Sequence, residues 1–295
     1  MKHQDKKNDR KIGFHVSIAG SISNAIPNAL KIGCSAFQIF SRNPRGWNAK
    51  ILDIEEVNGF KKKIFESGID KSAIATHMPY LPNLSAPAGE SYEKSKKTLL
   101  EEVVRCSQLE IPNLVIHLGS HLGKGKENGK IQLINSCNYA IDSYKSARNR
   151  KVPVTILLEN SSGQKNSIGN NFEEIRMILD GLDSKNFGVC LDTCHAFTSG
   201  YDLRDEKNVE STLYQFDKII GFKELKIIHL NDSKGEFNSN KDRHEHIGLG
   251  YIGKEGISYF LNHKEIVKLP IIMETPIDKI RGEKENLNAV YELIR

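Results

Sequence analysis

The feature that most restricts the fold of this 295-residue chain is an alternation. Eight short runs rich in β-branched and aliphatic residues, each bounded by turn residues, read as strands over 12–17, 36–40, 72–77, 113–119, 155–160, 187–192, 225–232 and 269–275. The gaps carry apolar residues at three-to-four spacing and read as helices over 22–32, 53–67, 91–109, 130–147, 172–182, 209–220, 256–262 and 278–293, the first short and containing Pro27. Strand then helix, eight times over, specifies an α/β chain forming a single (β/α)8 TIM barrel. The first and last runs begin 257 residues apart, about 37 per unit, slightly more than a barrel of roughly 250 residues needs. The excess belongs to loops. A doubly wound open sheet would usually carry a Gly-rich phosphate loop after its first strand, and HVSIAGS (15–21) lacks the G-x-G-x-x-G spacing.

Length alone allows two domains, but no linker-like stretch or repeat divides the chain, so the barrel is expected to span 12–295. Hydrophobic residues at 38% and charged residues at 27% exclude a largely disordered chain. No apolar run reaches the ~18 residues of a membrane span, and the start, MKHQDKKNDR, has no signal-peptide core, so a cytoplasmic protein is expected. Five cysteines without a C-x-x-C pair read as reduced thiols. The net charge of +5 is concentrated: residues 1–50 carry nine Lys or Arg against two Asp. Part of that excess lies in residues 1–11, expected to be a disordered, solubilising extension.

Barrel strands should be apolar, and these are until their C-terminal ends, where metal-type ligands appear one after another. His77, His117, Glu159, Asp192, His229 and Glu274 fall at the ends of the third to eighth runs, which converge on the face where barrel active sites lie. The following loops add D-x-x-H (Asp192, His195) and D-x-H (Asp242, His244). Any one of these side chains is more simply a hydrogen-bonded polar residue, but several carboxylates at one barrel mouth repel each other unless cations intervene. Five histidines and four carboxylates without cysteine suit Zn²⁺ or Mn²⁺ in a catalytic site, and nine ligands imply two or three ions sharing a bridging carboxylate. His15 could support such a site from behind. His121, His246 and His263 read as capping or surface residues, and His3 lies in the extension.

Longer motifs carry a resemblance. LLENSSGQ (157–164), VCLDTCHAFTSGYDLR (189–204) and HLNDSKGEFNSNKDRHEHIGLGYIG (229–253), with NPRGW (43–47), HMPYLPNL (77–84) and HLGSHLGKG (117–125), closely resemble the signature segments of the endonuclease IV family, zinc-dependent apurinic/apyrimidinic endonucleases. The resemblance implies three Zn²⁺ per chain, with Mn²⁺ admitted at one position. His77, His117 and Glu159 would hold the first; Glu159, Asp192, His229 and Glu274 the second; His195, Asp242 and His244 the third. It further implies that Glu159 and Glu274 act in catalysis with a metal-bound hydroxide, available near neutral pH because a metal lowers the pKa of bound water from 15.7 to roughly 7. The implied reaction cleaves duplex DNA 5′ to an abasic site, leaving a 3′-hydroxyl and a 5′-deoxyribose phosphate, and also repairs damaged 3′ ends. Arg45, Tyr80 and Leu81 would enter the DNA minor groove. A soluble monomer is expected, nucleoid-associated in a prokaryote, with nuclear or viral settings left open. Two other readings stand beside this one: a metal-dependent sugar isomerase or epimerase on the same barrel, and a non-catalytic zinc-stabilised DNA-binding protein.

Overall fold

The computed structural model describes residues 10–146 and 152–295. Eight parallel strands form a closed barrel: β1 (Ile12–His15), β2 (Ala36–Phe40), β3 (Ile74–His77), β4 (Asn113–His117), β5 (Thr155–Glu159), β6 (Phe187–Asp192), β7 (Leu225–His229) and β8 (Ile271–Met273). They neighbour one another in chain order, and the ring closes where Ile12 of β1 pairs with Ile271 of β8. The helices are α1 (Ala25–Ile32), α2 (Ile54–Ser67), α3 (Glu90–Leu109), α4 (Lys126–Ser146), α5 (Phe172–Asp180), α6 (Thr193–Thr198), α7 (Glu206–Ile219), α8 (Gly253–Asn262) and α9 (Glu283–Leu293). Side-chain oxygens start several of them: Asp53, Asn171 and Asp205 accept from the backbone N–H of Glu56, Glu174 and Asn208. At the other end of α1, Gly33 adopts φ 100°, the left-handed conformation that ends a helix without a Cβ penalty.

Two apolar layers hold the barrel. The large one lies between strands and helices and includes Phe14, Phe37, Leu114, Leu158, Phe172 and Phe216. The small one is a separate buried group of Ala75, Val115, Leu157, Cys190, Ile227 and Ile272, one residue from each of β3 to β8. Side chains two apart on a strand share a face. Two residues beyond these six stand His77, His117, Glu159, Asp192, His229 and Glu274. The apolar plug is therefore the floor on which the polar residues stand.

The observed elements differ from expectation mainly at their ends. The strands stop earlier than the apolar runs: residues 16–17, 118–119, 160, 230–232 and 274–275 lie beyond the barrel strands, which are three to six residues long because a tilted closed ring gives each residue ladder partners over only a short span. Ser72 and Ala73 belong to a 3₁₀ turn capped by Asp70. The helix expected over 22–32 begins as a 3₁₀ turn, Ile22–Asn24, which leaves Pro27 in the first turn of α1, where a missing N–H costs nothing. The last helix begins at Glu283 because Asp278 is occupied in a turn, accepting from Ile280 and Arg281 N–H. Helix α6 was not expected: the D-x-x-H segment is helical, with Asp192 as its cap. Residue 147, at the end of the expected helix over 130–147, lies outside the described residues, as do residues 1–9. The remainder of the expected extension is docked: Arg10 is buried with its guanidinium donating to the Leu261 carbonyl, and Lys11 pairs with Asp70.

Candidate metal centre

All nine histidines and carboxylates singled out from the sequence meet at the C-terminal mouth of the barrel. Ligand-capable atoms within 4.8 Å of one another define three groups: His77, His117 and Glu159; Glu159, Asp192, His229 and Glu274; Asp192, His195 and His244. Asp242 joins the third, its Oδ1 lying 3.2 Å from His195 Nε2 and 3.6 Å from His244 Nε2. Glu159 stands between the first two groups, with Oε2 at 3.3 Å from His77 Nε2 and 3.2 Å from His117 Nε2, and Oε1 at 3.0 Å from His229 Nδ1. Asp192 similarly spans the second and third groups, whereas the resemblance implied that it serves the second alone.

The histidines are aimed. One ring nitrogen of each of four is tied to an oxygen that can only accept: His77 Nδ1–H donates to Met78 O (2.7 Å), His195 Nδ1–H to Asn160 O (3.0 Å), His244 Nδ1–H to Glu274 O (3.1 Å) and His229 Nε2–H to Gln38 Oε1 (3.0 Å). This fixes which nitrogen presents a lone pair to the cluster. His195 Nε2 and His244 Nε2 are buried and make no hydrogen bond, although both lie close to Asp242. Donors that converge without satisfying one another fit a cation between them, and a mixed nitrogen and carboxylate set with no thiolate fits Zn²⁺ or Mn²⁺.

The electrostatics have the same form. Burial disfavours the Glu159 and Glu274 carboxylates, yet neighbouring histidine charge, chiefly His229, holds both well below the usual carboxylate range. Burial likewise opposes the imidazolium of His195, but Asp192, Asp242 and Glu159 outweigh it and raise the group to about 10. Among the described residues every ion pair of Glu159, Asp192, Asp242 and Glu274 is with a histidine. Metal ions would take the place of this histidine charge.

A cavity of about 130 Å³ opens beside the cluster, lined by His117, Glu159, His195, Asp242 and the loop residues Ser161 and Gln164. Arg45, Tyr80 and Leu81 are all exposed, the latter two 63% and 41%. The Tyr80 ring stands 6.1 Å from His77 and from His117, which places it at the rim of the mouth.

Residues 26–295 match the family model described as a xylose isomerase-like TIM barrel. The chain is 52% identical over 282 residues to the probable endonuclease 4 of Nitrosopumilus maritimus, covering 95% of this chain and 99% of that protein. This chain belongs to the endonuclease IV family. The crystal structure of endonuclease IV from Thermus thermophilus superposes with a TM-score of 0.82 at 31% identity, covering 96% of this chain and 98% of that one. A D-tagatose 3-epimerase-like protein superposes at 0.70 with 19% identity, a likeness of fold alone. Membership of the endonuclease IV family makes the chain a hydrolase of the endonuclease class.

Several residues around this endonuclease IV-type cluster were not foreseen. Asn231 donates to Asp192 Oδ2 (2.7 Å) and accepts from the Glu274 N–H (2.9 Å), while Asn160 exchanges hydrogen bonds with the Asp192 backbone. Asp232 is buried and accepts from the N–H groups of Ser233, Gly250, Ile252 and Gly253, so it clasps the loop that carries Asp242 and His244. Gln38, fully buried on β2, touches His229 and Glu274. His15 does lie behind the cluster, 3.3 Å from Glu274 Oε1. The reading of His246 as a capping or surface residue is corrected: it is fully buried between Asp278 and Asn286. His121 accepts from Gly123 and Gly125 N–H within its own loop, and His263 accepts from the Glu265 N–H.

Proposed function

We propose that this protein is a DNA-repair endonuclease that hydrolyses the phosphodiester 5′ to an abasic site in duplex DNA, leaving a 3′-hydroxyl and a 5′-deoxyribose phosphate, and that also clears damaged 3′ ends. The reading rests above all on Glu159, buried between two groups of ligand-type side chains at the open end of the barrel. His77, His117, Glu159, Asp192, His195, His229, Asp242, His244 and Glu274 would hold three Zn²⁺, with Mn²⁺ admitted at one position. When bound, the ions would supply Lewis-acid charge for the phosphoryl oxygens and activate water at neutral pH.

The chain's own part is to hold, aim and admit. Backbone carbonyls of Met78, Asn160 and Glu274 keep three imidazoles turned toward the cluster, so little reorganisation is needed when a phosphate arrives. Glu159 and Glu274 would hold the cations that draw in the anionic phosphate. The cavity beside His117 and Asp242 gives the scissile group a way in. An abasic nucleotide is the cheapest to turn out of a duplex because no base pair remains to break. Tyr80 at the rim, with the exposed Leu81 and Arg45, would occupy the gap it leaves. Among the described residues no helix is long and apolar enough to cross a membrane, and the protein is proposed to act as a cytoplasmic monomer.

The test is incision of a duplex carrying one abasic analogue, with and without chelator. Nicking 5′ to the lesion that disappears with chelator and returns with zinc is expected. Isomerisation of a monosaccharide without nicking would favour the sugar isomerase, and tight binding without either would favour the non-catalytic protein.

A further inference from the structure

Strands β3 to β8 each lead to a histidine or carboxylate two residues beyond the apolar plug and β1 ends in His15, whereas β2 contributes an amide, Gln38. It is fully buried, and its polar atoms are spent on the cluster. Gln38 Nε2 donates to Glu274 Oε1 at 2.8 Å and lies 3.0 Å from His15 Nδ1, while Gln38 Oε1 accepts from His229 Nε2 at 3.0 Å.

Only one orientation of this amide is tolerable. Turning it over would set its carbonyl oxygen against the Glu274 carboxylate and its NH₂ against the His229 N–H, two repulsive contacts at a buried amide. Glu274 therefore orients Gln38, and Gln38 orients His229. With Nε2 committed as a donor, His229 can offer only Nδ1 to its partners, and Nδ1 faces Glu159 Oε1 at 3.0 Å and Glu274 Oε2 at 3.5 Å. The other histidines tied through one nitrogen use backbone carbonyls, which a substitution does not remove. His229 alone among them depends on a side chain.

We propose that Gln38 is the positioning residue of the second ion site, locking His229 in the tautomer that presents Nδ1 and holding Glu274 beside it through the same amide. This rests on the reading of the cluster as a zinc centre, and the experiment separates the two.

Full-length wild type and the Gln38→Met and Gln38→Glu variants are loaded with zinc, dialysed and analysed for zinc per chain. Zinc release into a chromogenic chelator and the ¹⁵N resonances of His229 in the loaded protein are then measured. Gln38→Met, matched in length but unable to accept or donate a strong hydrogen bond, is expected to lose one zinc about 10- to 100-fold faster and to show a mixed His229 tautomer. Gln38→Glu keeps an oxygen facing His229 and loses the amide donor to Glu274, so the wild-type His229 signature should return while release stays fast. Wild-type release and a wild-type His229 signature in Gln38→Met would overturn the positioning role. Should that variant not fold, wild-type release from Gln38→Glu would overturn it instead. Wild type that retains no zinc would overturn the zinc centre itself, a result distinct from both.

Discussion

The two ends of the barrel carry similar charged groups and treat them in opposite ways. At the base, Lys11 pairs with Asp70, and Lys61 and Lys71 both reach Glu110, so each carboxylate has a cation of its own. At the mouth, Glu159, Asp192, Asp242 and Glu274 form ion pairs only with histidines among the described residues. The pairs at the base are partly solvated and cost little to form; the mouth residues are mostly buried, and their carboxylates are compensated only by histidines, whose charge depends on a bound proton. The base is a set of ordinary ion pairs, whereas the mouth carries the donor set of a candidate metal site. If that contrast is right, substitutions at the two ends should separate activity from stability.

The largest effect is expected for Glu274→Gln or Glu159→Ala. Either should lower nicking of an abasic duplex by at least about 10³-fold, the scale of losing charge stabilisation in a preorganised site, while circular dichroism and the barrel fold are retained. Lys71→Ala at the base should leave nicking unchanged. Retained nicking in the mouth variants would remove both carboxylates from the mechanism.

Next in size is removal of metal. Plasma emission should find about three zinc ions per chain, the number the ligand set can hold, and one ion would break the trinuclear assignment. Restoring zinc to stripped protein at 100 times its dissociation constant should add about 2.7 kcal/mol per site, read as a rise in thermal midpoint. A stripped protein whose midpoint ignores zinc would make the mouth as self-sufficient as the base.

How much of this contrast was readable beforehand depends on how local its causes are. The strands and six of the nine ligand-type residues were readable from an apolar run with a polar residue at its end, and His195, Asp242 and His244 from the D-x-x-H and D-x-H spacings in the loops that follow. Helix α6 was missed because its six residues are all buried and show no polar face; only the Asp192 cap betrays it. Gln38 was missed because an amide is not a metal-type ligand, although its place two residues after Ala36 repeats the spacing of the other strands. His246 could not be read at all, since the Asp278 and Asn286 that bury it lie 32 and 40 residues away. Docking of Arg10 depends on Leu261, 251 residues distant, so its charge alone suggested a solvated tail.

Smaller effects belong to the rim. Arg45→Ala or Tyr80→Ala should weaken binding to an abasic duplex about tenfold, near 1.4 kcal/mol, and intact duplex much less, by fluorescence anisotropy. Equal losses on both duplexes would mean that these side chains serve as general surface contacts and do not fill a gap.

The smallest effect tests the base itself. Lys11 and the Ser72 N–H hold Asp70 down to about 2, and Lys61 and Lys71 do the same for Glu110. A carboxylate whose folded pKa lies below its unfolded value, near 4, stabilises the fold above that value and loses the contribution as pH falls through about 2. Solvent reaches both groups, which keeps the contribution to at most about 1 kcal/mol for a pair. Lys71→Ala should therefore cost less than about 1 kcal/mol at pH 7 by urea denaturation. The difference from wild type should shrink toward pH 2 and also in 1 M salt, where the screening length falls to about 3 Å. A larger loss, or one indifferent to pH and salt, would show that the base holds strain or desolvated charge like the mouth, and that the two ends differ in degree only.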